Sequence, residues 1–159
     1  MMRFLSVCSG LGGAELAFAG LGWECAGVAE VDPAACAVLA HHWPNVKNFG
    51  DFTKIGVEDV GAIDLLVGGT PCQDFSVAGL RAGVEGGRHD GVMTGMQVRR
   101  LTPTECARLQ AVPDDHLNIL YRGKPLADGP KYKLLGNGFC INVVRWIGKR
   151  LDAYQKSNC

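Results

Sequence analysis

The segment GGTPCQDFS, residues 68–76, places a single cysteine after a proline and two glycines. A thiol acts as a nucleophile when its pKa is lowered and when it is exposed on a fixed backbone. Pro71 stiffens the chain before Cys72, and Gly68 and Gly69 leave space around it. Considered alone, a free cysteine is more often a buried structural residue. The rest of the sequence therefore has to distinguish a catalytic from a structural role.

A second group of residues could hold the adenosine part of a cofactor. The turn SGLGG, from Ser9 to Gly13, follows a short apolar run and precedes apolar residues at helical spacing. Glycines let a ligand approach the backbone, and Glu30 at the end of the next strand could accept hydrogen bonds from ribose hydroxyls. The spacing GxGG departs from the dinucleotide fingerprint GxGxxG, so a nucleoside without phosphates fits equally well. For the glycines the alternative is a tight turn without a ligand, and for Glu30 it is a helix cap or a surface charge.

Strands and helices alternate in the first half of the chain. We predict a strand before the glycine turn, a second ending at Glu30, a weak third (VKNFGDF) ending at Asp51, and a fourth, AIDLLVGG. The fourth has the continuous apolar run of a strand covered on both faces. Asp32 and Pro33 indicate a helix start, and that helix runs to about His42. This alternation predicts a parallel sheet, with Asp51 either a second polar residue at the same sheet edge or a turn residue.

The sequence changes character after Ser76. AGLRAGVEGGRHDGVMTG has many glycines and no sustained period, which predicts an irregular, mobile segment. Thr102, Pro103 and Glu105 match a capping box with proline at the first helical position, so a short helix begins there. A final amphipathic helix is predicted from about Phe139 to Tyr154. Its apolar stripe consists of Phe139, Val143, Trp146, Ile147 and Leu151.

Composition restricts the class of protein. The chain has 159 residues, of which 47% are apolar and 20% charged, and a formal net charge of +0, which is typical of one globular domain. The charge itself does not indicate a nucleic-acid partner. Seven cysteines without a CxxC pair predict neither a zinc site nor a disulfide framework. Because no apolar stretch approaches the roughly 18 residues of a membrane helix, we expect a cytoplasmic protein without a membrane partner.

Six segments resemble motifs of the DNA cytosine-5 methyltransferases, in the order of that family. GGTPCQDFSVAGLRAG resembles the nucleophile motif, whose core is Pro-Cys-Gln-x-Phe-Ser. SVCSGLGG, AEVDPAA and GDFTKI are similar to the first three motifs, RRLTPTECARLQAVPDD to the ninth, and LLGNGFCINVVRWIGKRL to the last. The resemblance covers most of the chain. It implies a Rossmann-like fold of the methyltransferases that use S-adenosylmethionine, with a truncated parallel sheet.

The resemblance also implies a methyl donor, a substrate and their ligands. S-adenosylmethionine would be the donor, with no metal, and DNA the partner. The Cys72 thiolate would add to carbon 6 of a flipped-out cytosine, and carbon 5 would take the methyl group. The residues implied in cofactor binding are Ser9, Gly10, Leu11, Gly12, Gly13, Glu30, Val31, Asp51, Phe52, Pro71, Asn137 and Gly138. Those implied in DNA binding are Gln73, Ser76, Arg81 and Arg88.

The chain departs from the family between GGRHDG and MQVRRLTP, where the Glu-Asn-Val motif and the target-recognition domain are missing. The missing glutamate is a general acid, and loss of such a group typically lowers the rate about a hundredfold to ten-thousandfold. Cys8 replaces a phenylalanine that usually stacks on the adenine. We predict one methyltransferase-like domain, 1–159, with a cofactor half and nucleophile motif (1–80), an irregular junction loop (81–98) and a C-terminal helical segment (99–159) that packs on the cofactor half.

Three functional hypotheses fit this sequence. The chain is a cytosine-5 methyltransferase whose activity alone is reduced or absent, a non-catalytic S-adenosylmethionine-binding or interaction module, or a different cysteine enzyme or nucleotide-binding domain. The third is disfavoured because no motif ties Cys72 to a histidine. Loss of the covering strands would make the fourth strand an exposed apolar edge. We therefore expect a homo-oligomer or a swapped dimer formed through that edge.

Overall fold

The computed structural model describes residues 1–69, 91–94 and 97–157. Its centre is a parallel sheet of β1 (Arg3–Val7), β2 (Glu24–Ala29) and β3 (Leu65–Gly68), in the spatial order β2-β1-β3. The middle of β1 is buried, as expected for the central strand of a sheet covered on both faces. The predicted α/β fold with a short parallel sheet is confirmed.

The described part of the chain also contains six helices and two small hairpins. The helices are α1 (Gly13–Phe18), α2 (Pro33–His42), α3 (Val57–Val60), α4 (Pro103–Leu109), α5 (Asp128–Gly136) and α6 (Ile141–Ser157). A 3-10 turn, Phe52–Lys54, precedes α3. The antiparallel hairpins pair β4 (Gly91–Thr94) with β5 (Gln97–Arg100), and β6 (Leu120–Tyr121) with β7 (Lys124–Pro125).

Two helices begin where the sequence predicts them. The Asp32 carboxylate accepts hydrogen bonds from the first free amides of α2, with Pro33 at the first helical position. At α4, the Thr102 hydroxyl accepts from the Glu105 amide, and the Glu105 carboxylate accepts from the Thr102 amide at 2.8 Å. Both starts are confirmed because each is determined by residues within one turn.

The hydrophobic core includes buried residues of the sheet, of the helices α1, α2, α4, α5 and α6, and of the segment between α4 and α5. The Phe4 ring meets Phe18 edge-on at 5.1 Å, and Phe18 in turn packs on Trp23. A Cβ atom at Gly148 would lie 2.8 Å from the Phe18 ring, so α6 approaches α1 through this glycine. Ile141 at the start of α6 is fully buried. The C-terminal helix is therefore an integral part of the core around β1.

The predicted third strand is wrong. Residues 47–49 pair with β2 through an isolated parallel bridge between Val28 and Asn48 and form no strand of their own. The Asn48 side-chain oxygen accepts from the Glu30 and Gly50 amides, at 3.1 and 2.9 Å. This turn within the chain replaces further strand pairing, and Gly50 is left-handed with φ of 74°. Asp51 caps the 3-10 turn that follows.

The predicted irregular segment is wrong at its end, because residues 91–94 form β4 and pair with β5. The two residues between these strands, 95 and 96, lie outside the described part of the chain. The calls that fall on residues 70–90 lie outside the described residues.

The final helix is confirmed, but it runs over Ile141–Ser157, so Phe139 precedes it. Its predicted apolar stripe does not face the core, since Val143 is 56% exposed and Trp146 57% exposed. The face that packs on α1 contains Gly148, which has no side chain and so permits the closest approach between the helices. Helical periodicity identified the stripe, and the structure shows that its helical members are exposed.

Strand β3 is an edge of the described sheet. It is not covered on both faces there, because Leu66 is 60% exposed while Leu65 and Val67 pack against the core. The described helices include none that combines the length and the hydropathy needed to cross a membrane.

Candidate cofactor site

The glycine turn, residues 9–13, is fastened to β2 by Ser9. The buried Ser9 hydroxyl donates to the Ser6 carbonyl at 3.0 Å and accepts from the Ala29 amide at 3.3 Å. The Gly12 amide then returns to the Ser9 carbonyl at 2.9 Å and closes the turn. The turn is therefore held rigidly at the carboxyl end of β1, the position where α/β sheets bind ligands.

At two positions of the turn, neighbouring aromatic rings leave little or no room for a side chain. Gly12 is left-handed, with φ of 85°, and a Cβ atom there would overlap the Trp43 ring. A Cβ atom at Gly13 would lie 3.2 Å from the Phe139 ring. The glycine pattern is thus partly explained by close packing against α2 and the segment before α6.

Glu30 links the turn to the end of β2. One carboxylate oxygen accepts from the Gly10 amide at 2.8 Å, and the other accepts from the Val31 and Asp32 amides at the same distance. A carboxylate offers about four acceptor positions, so it can still accept from a ligand hydroxyl. Glu30 is therefore a fixed acceptor beside the glycine turn and not a free surface charge.

Three other residues predicted to contact the cofactor are Val31, which follows Glu30, and Asp51 and Phe52, which follow Gly50. Val31 is 68% exposed and Phe52 is 44% exposed, so both offer apolar surface. Asp51 accepts from the Thr53 amide and hydroxyl, and these bonds hold the pKa of its carboxyl below the usual range. Asn48 bridges this loop to Glu30 at the end of β2.

The last predicted motif does reach the glycine turn. Asn137 ends α5, and a Cβ atom at Gly138 would lie 3.0 Å from the Leu11 side chain. The structure thus brings Gly138 beside the turn although most of the chain separates them in sequence. Of the predicted site residues, the following lie outside the described part of the chain: Pro71, Cys72, Gln73, Ser76, Arg81 and Arg88.

Phe139 connects the turn to the start of the cysteine segment. Its ring lies against Gly13 on one side, and a Cβ atom at Gly69 would come within 2.9 Å of the same ring. Gly69 is three residues before Cys72 in the sequence. The sequence analysis placed Phe139 in the helical stripe and missed this contact, because only the folded chain brings the two glycines together.

An ion pair that the sequence analysis did not predict joins α5 to α2. The Lys133 ammonium donates to the Asp32 carboxylate at 2.5 Å, and this bond lowers the pKa of Asp32 and raises that of Lys133. Asp32 also caps α2 directly after Glu30. The pair therefore ties the C-terminal segment to the loop that holds Glu30.

A buried carboxyl, that of Glu15, lies in the first turn of α1, directly after the glycine turn. Burial raises the pKa of Glu15 to about 7, and one of its side-chain oxygens has no hydrogen-bond partner. Burial and the nearby Glu15 raise the pKa of Cys25 to about 12. No sequence signal marked this pair, since a glutamate in the first turn of a helix is usually exposed.

Comparison with known proteins decides the family. A family model described as C-5 cytosine-specific DNA methylase matches residues 2–94 and 87–153, which together make up most of the chain. The chain belongs to this family. The fold is therefore a shortened version of the Rossmann-like methyltransferase fold, and the two matched segments overlap at residues 87–94.

Relatives of the methylase family align with about half of the chain. It is 49% identical over 84 residues to a DNA N-6-adenine-methyltransferase of Escherichia phage P1, 50% of the chain and 11% of that protein. It is 44% identical over 90 residues to the orphan methyltransferase M.SPRI of Bacillus phage SPR, and 37% identical over 90 residues to the type II methyltransferase M.NgoBV of Neisseria gonorrhoeae. These matches cover 53% of the chain and 20% and 21% of the relatives, so the chain spans about a fifth of their length or less.

Proposed function

We propose that the chain binds S-adenosylmethionine against the glycine turn. The observation that carries this proposal is the position of the Glu30 carboxylate, which three backbone amides on both sides of the site hold in place. Ribose hydroxyls would donate to Glu30, and the left-handed glycines would let the ligand approach the backbone. Family membership supports a methyl donor at this site.

The base of the ligand would lie between the exposed apolar side chains of Val31 and Phe52. Asp51 stays ionised because hydrogen bonds lower its pKa, so it is a suitable acceptor for an exocyclic amine. Cys8 replaces the usual phenylalanine and offers much less surface for stacking. We therefore expect weaker binding than a complete aromatic pocket would give. Ser9, Leu11, Asn137, Gly138 and Pro71 complete the proposed cofactor contacts.

We further propose that the bound methyl group is transferred to carbon 5 of cytosine in DNA. The Cys72 thiolate would add to carbon 6, which moves an electron pair to carbon 5; carbon 5 then takes the methyl group and the sulfonium becomes a neutral thioether. Loss of the carbon-5 proton to a base restores the double bond and expels the thiolate. The contact of Gly69 with Phe139 supports this role, because it starts the cysteine segment next to the cofactor turn.

DNA is the proposed partner, with Gln73, Ser76, Arg81 and Arg88 as contacts, the two arginines to phosphates. The missing general acid and recognition domain predict slow turnover and weak sequence preference for this chain alone. The cytoplasmic location and the division of the chain at residues 80 and 98 also stay predictions.

Cofactor binding is tested by calorimetry with S-adenosylmethionine and its demethylated product. Glu30→Gln should weaken binding about tenfold, because it replaces an ionised acceptor with a neutral amide. The matched control is Glu24→Gln, which changes an exposed carboxylate at the opposite end of the same strand, β2, where it pairs with Arg3. Equal binding by wild type and Glu30→Gln would contradict the proposed role of Glu30.

Catalysis is tested by tritiated methyl transfer to DNA, followed by mass spectrometry of the nucleosides. We expect 5-methylcytosine from the wild-type chain and none from Cys72→Ser, with cofactor binding unchanged. N6-methyladenine would instead follow the phage P1 relative and would overturn the proposed target. Cofactor binding without any methylated base would leave the non-catalytic binding module.

Self-association is proposed through the edge strand β3. Its outer edge is not paired within the described sheet, and Leu66 exposes an apolar side chain there. Light scattering at increasing concentration should show a homo-oligomer or a swapped dimer for the wild type and a monomer for Leu66→Lys. A wild-type chain that stays monomeric at high concentration would contradict this proposal.

A further inference from the structure

Three aromatic side chains pack behind the glycine turn, and we call His42, Trp43 and His116 the aromatic clamp. The His42 and His116 rings stack at 4.0 Å with an angle of 12° between their planes. Trp43 packs at a tilt on both, 5.6 Å from His42 and 5.8 Å from His116. The Trp43 ring also fills the space in which Gly12 has no side chain. The clamp therefore touches the turn directly.

His116 makes the decisive polar contact of the clamp. It is 3% exposed, and its Nε2 atom lies 2.6 Å from the carbonyl oxygen of Leu11. A carbonyl oxygen can only accept, so Nε2 carries the proton and donates it. Leu11 is the middle residue of the turn and is itself buried. The hydrogen bond thus fixes the turn from a residue that lies 105 positions away.

The His116 side chain is held in place from its own side as well. The His42 Nε2 atom donates to the His116 carbonyl oxygen at 2.8 Å, and the His116 amide donates to the Pro113 carbonyl at 3.1 Å. Backbone and ring are therefore both restrained before any ligand arrives. Preorganisation of this kind lowers the entropy that a ligand-binding turn loses on binding.

We propose that His116 is a positioning residue for the adenosyl cofactor, because it holds the Leu11 carbonyl and thereby sets the path of the glycine turn. This inference rests on the proposed binding of S-adenosylmethionine. His116 acts through the backbone of the turn and contacts no reacting atom. His116 directly follows the segment RRLTPTECARLQAVPDD and belongs to the C-terminal part of the chain, so that part contributes to cofactor affinity through one hydrogen bond.

Acid should destabilise the buried His116 ring, although a protonated ring would still donate from Nε2 to Leu11. Burial lowers the pKa of His116, against a smaller opposing effect of its bond to Leu11; the neighbouring titratable groups that act on the ring are His41 and His42 from α2, which lower its pKa, and Asp115 from its own turn, which raises it. The neutral ring is the form that fits the clamp. Cofactor affinity should therefore be complete above the ordinary histidine pKa and fall as the pH drops through the lowered value.

The test compares His116→Phe, His116→Gln and the exposed-site control His41→Phe in the full chain, with calorimetry of the demethylated cofactor from pH 5 to 8. His116→Phe keeps a stacking ring but has no donor, and affinity should fall about tenfold at pH 7.5. His116→Gln can donate from its side-chain amide and should recover most of that loss, without the acid dependence. Unchanged affinity in His116→Phe, or no recovery in His116→Gln, would overturn the proposal.

Hydrogen exchange of the Gly12 and Gly13 amides separates this inference from the proposed function. Faster exchange in His116→Phe than in His116→Gln would support positioning of the turn even if no variant bound the cofactor, in which case only the binding proposal fails. If both variants fail to fold, the nitrogen NMR spectrum of the His116 imidazole in the wild-type chain tests the proposal instead. A protonated, exchange-protected Nε2 that shifts on cofactor addition supports the proposal, and an unprotected or unshifted one refutes it.

Discussion

The glycine turn and the outer faces of α6 and β3 differ in which side chains are buried and which are exposed. Around the turn, polar groups such as Ser9 and His116 are buried and satisfied by hydrogen bonds. Along α6 and β3, large apolar residues such as Trp146 and Leu66 are exposed. The glycine turn is held in place by short hydrogen bonds. Helix α6 is held by the packing of its other face, which contains Gly148, against α1. The glycine turn is therefore held by buried hydrogen bonds, whereas the outer face of α6 is exposed to solvent.

The steric part of this comparison is tested most strongly at Gly12. Gly12→Ala should lower the free energy of unfolding by about 3 kcal/mol, because it adds left-handed backbone strain and a clash with Trp43. Gly20→Ala is the matched control, since Gly20 has the same φ of 85° with no atom near a new Cβ. It should cost only about 1 kcal/mol. Urea unfolding measures both, and equal losses would show that packing at the turn contributes nothing.

The electrostatic part is tested at Glu15. Its folded pKa of about 7 lies above the ordinary 4.5, so its contribution to stability is complete below about pH 4.5 and is lost as the pH rises through 7. The expected loss is about 3 kcal/mol across that window. Glu15→Gln should remove this slope, whereas Glu24→Gln should keep it. The same slope in Glu15→Gln would mean that Glu15 titrates normally.

The smallest effect is expected on the exposed stripe of α6. Trp146→Gln should change the free energy of unfolding by about 0.5 kcal/mol or less, because the ring is already half exposed. Ile141→Val, at the buried start of the same helix, should cost about 1 kcal/mol. Thermal unfolding compares the two. A larger loss for Trp146→Gln than for Ile141→Val would contradict the assignment of this stripe to the surface.

Features within one or two turns of the chain were predictable from the sequence. Asp32 and Thr102 cap helices because their partners are the next few amides, and the turn before α1 follows from its glycines. The third strand failed because the Asn48 side chain competes for backbone amides, which a pattern of apolar residues does not show. The exposure of the α6 stripe could not be predicted from its periodicity, because the rotation of a helix is set by its partner, here through Gly148.

The acidic residue of the candidate site was predictable from the sequence, but the residues that hold the site in place were not. Glu30 was identified from its place at the end of a strand. The structure confirms that place, beside the glycine turn, while the ligand of Glu30 stays a proposal. His116 and Lys133 could not be assigned, because their partners lie on distant parts of the chain. Local chemistry is visible in a sequence, and long-range support appears only with the fold.

The contact of one phenylalanine ring with both Gly13 and Gly69 has a consequence for how the protein is made. During synthesis the first three motifs leave the ribosome long before Phe139 and His116 do. Contacts between such distant residues close late in folding, because a long loop must be ordered first. The nascent chain should therefore carry an unfinished turn until its C-terminal helix docks, so cofactor capture would be the last event in its maturation.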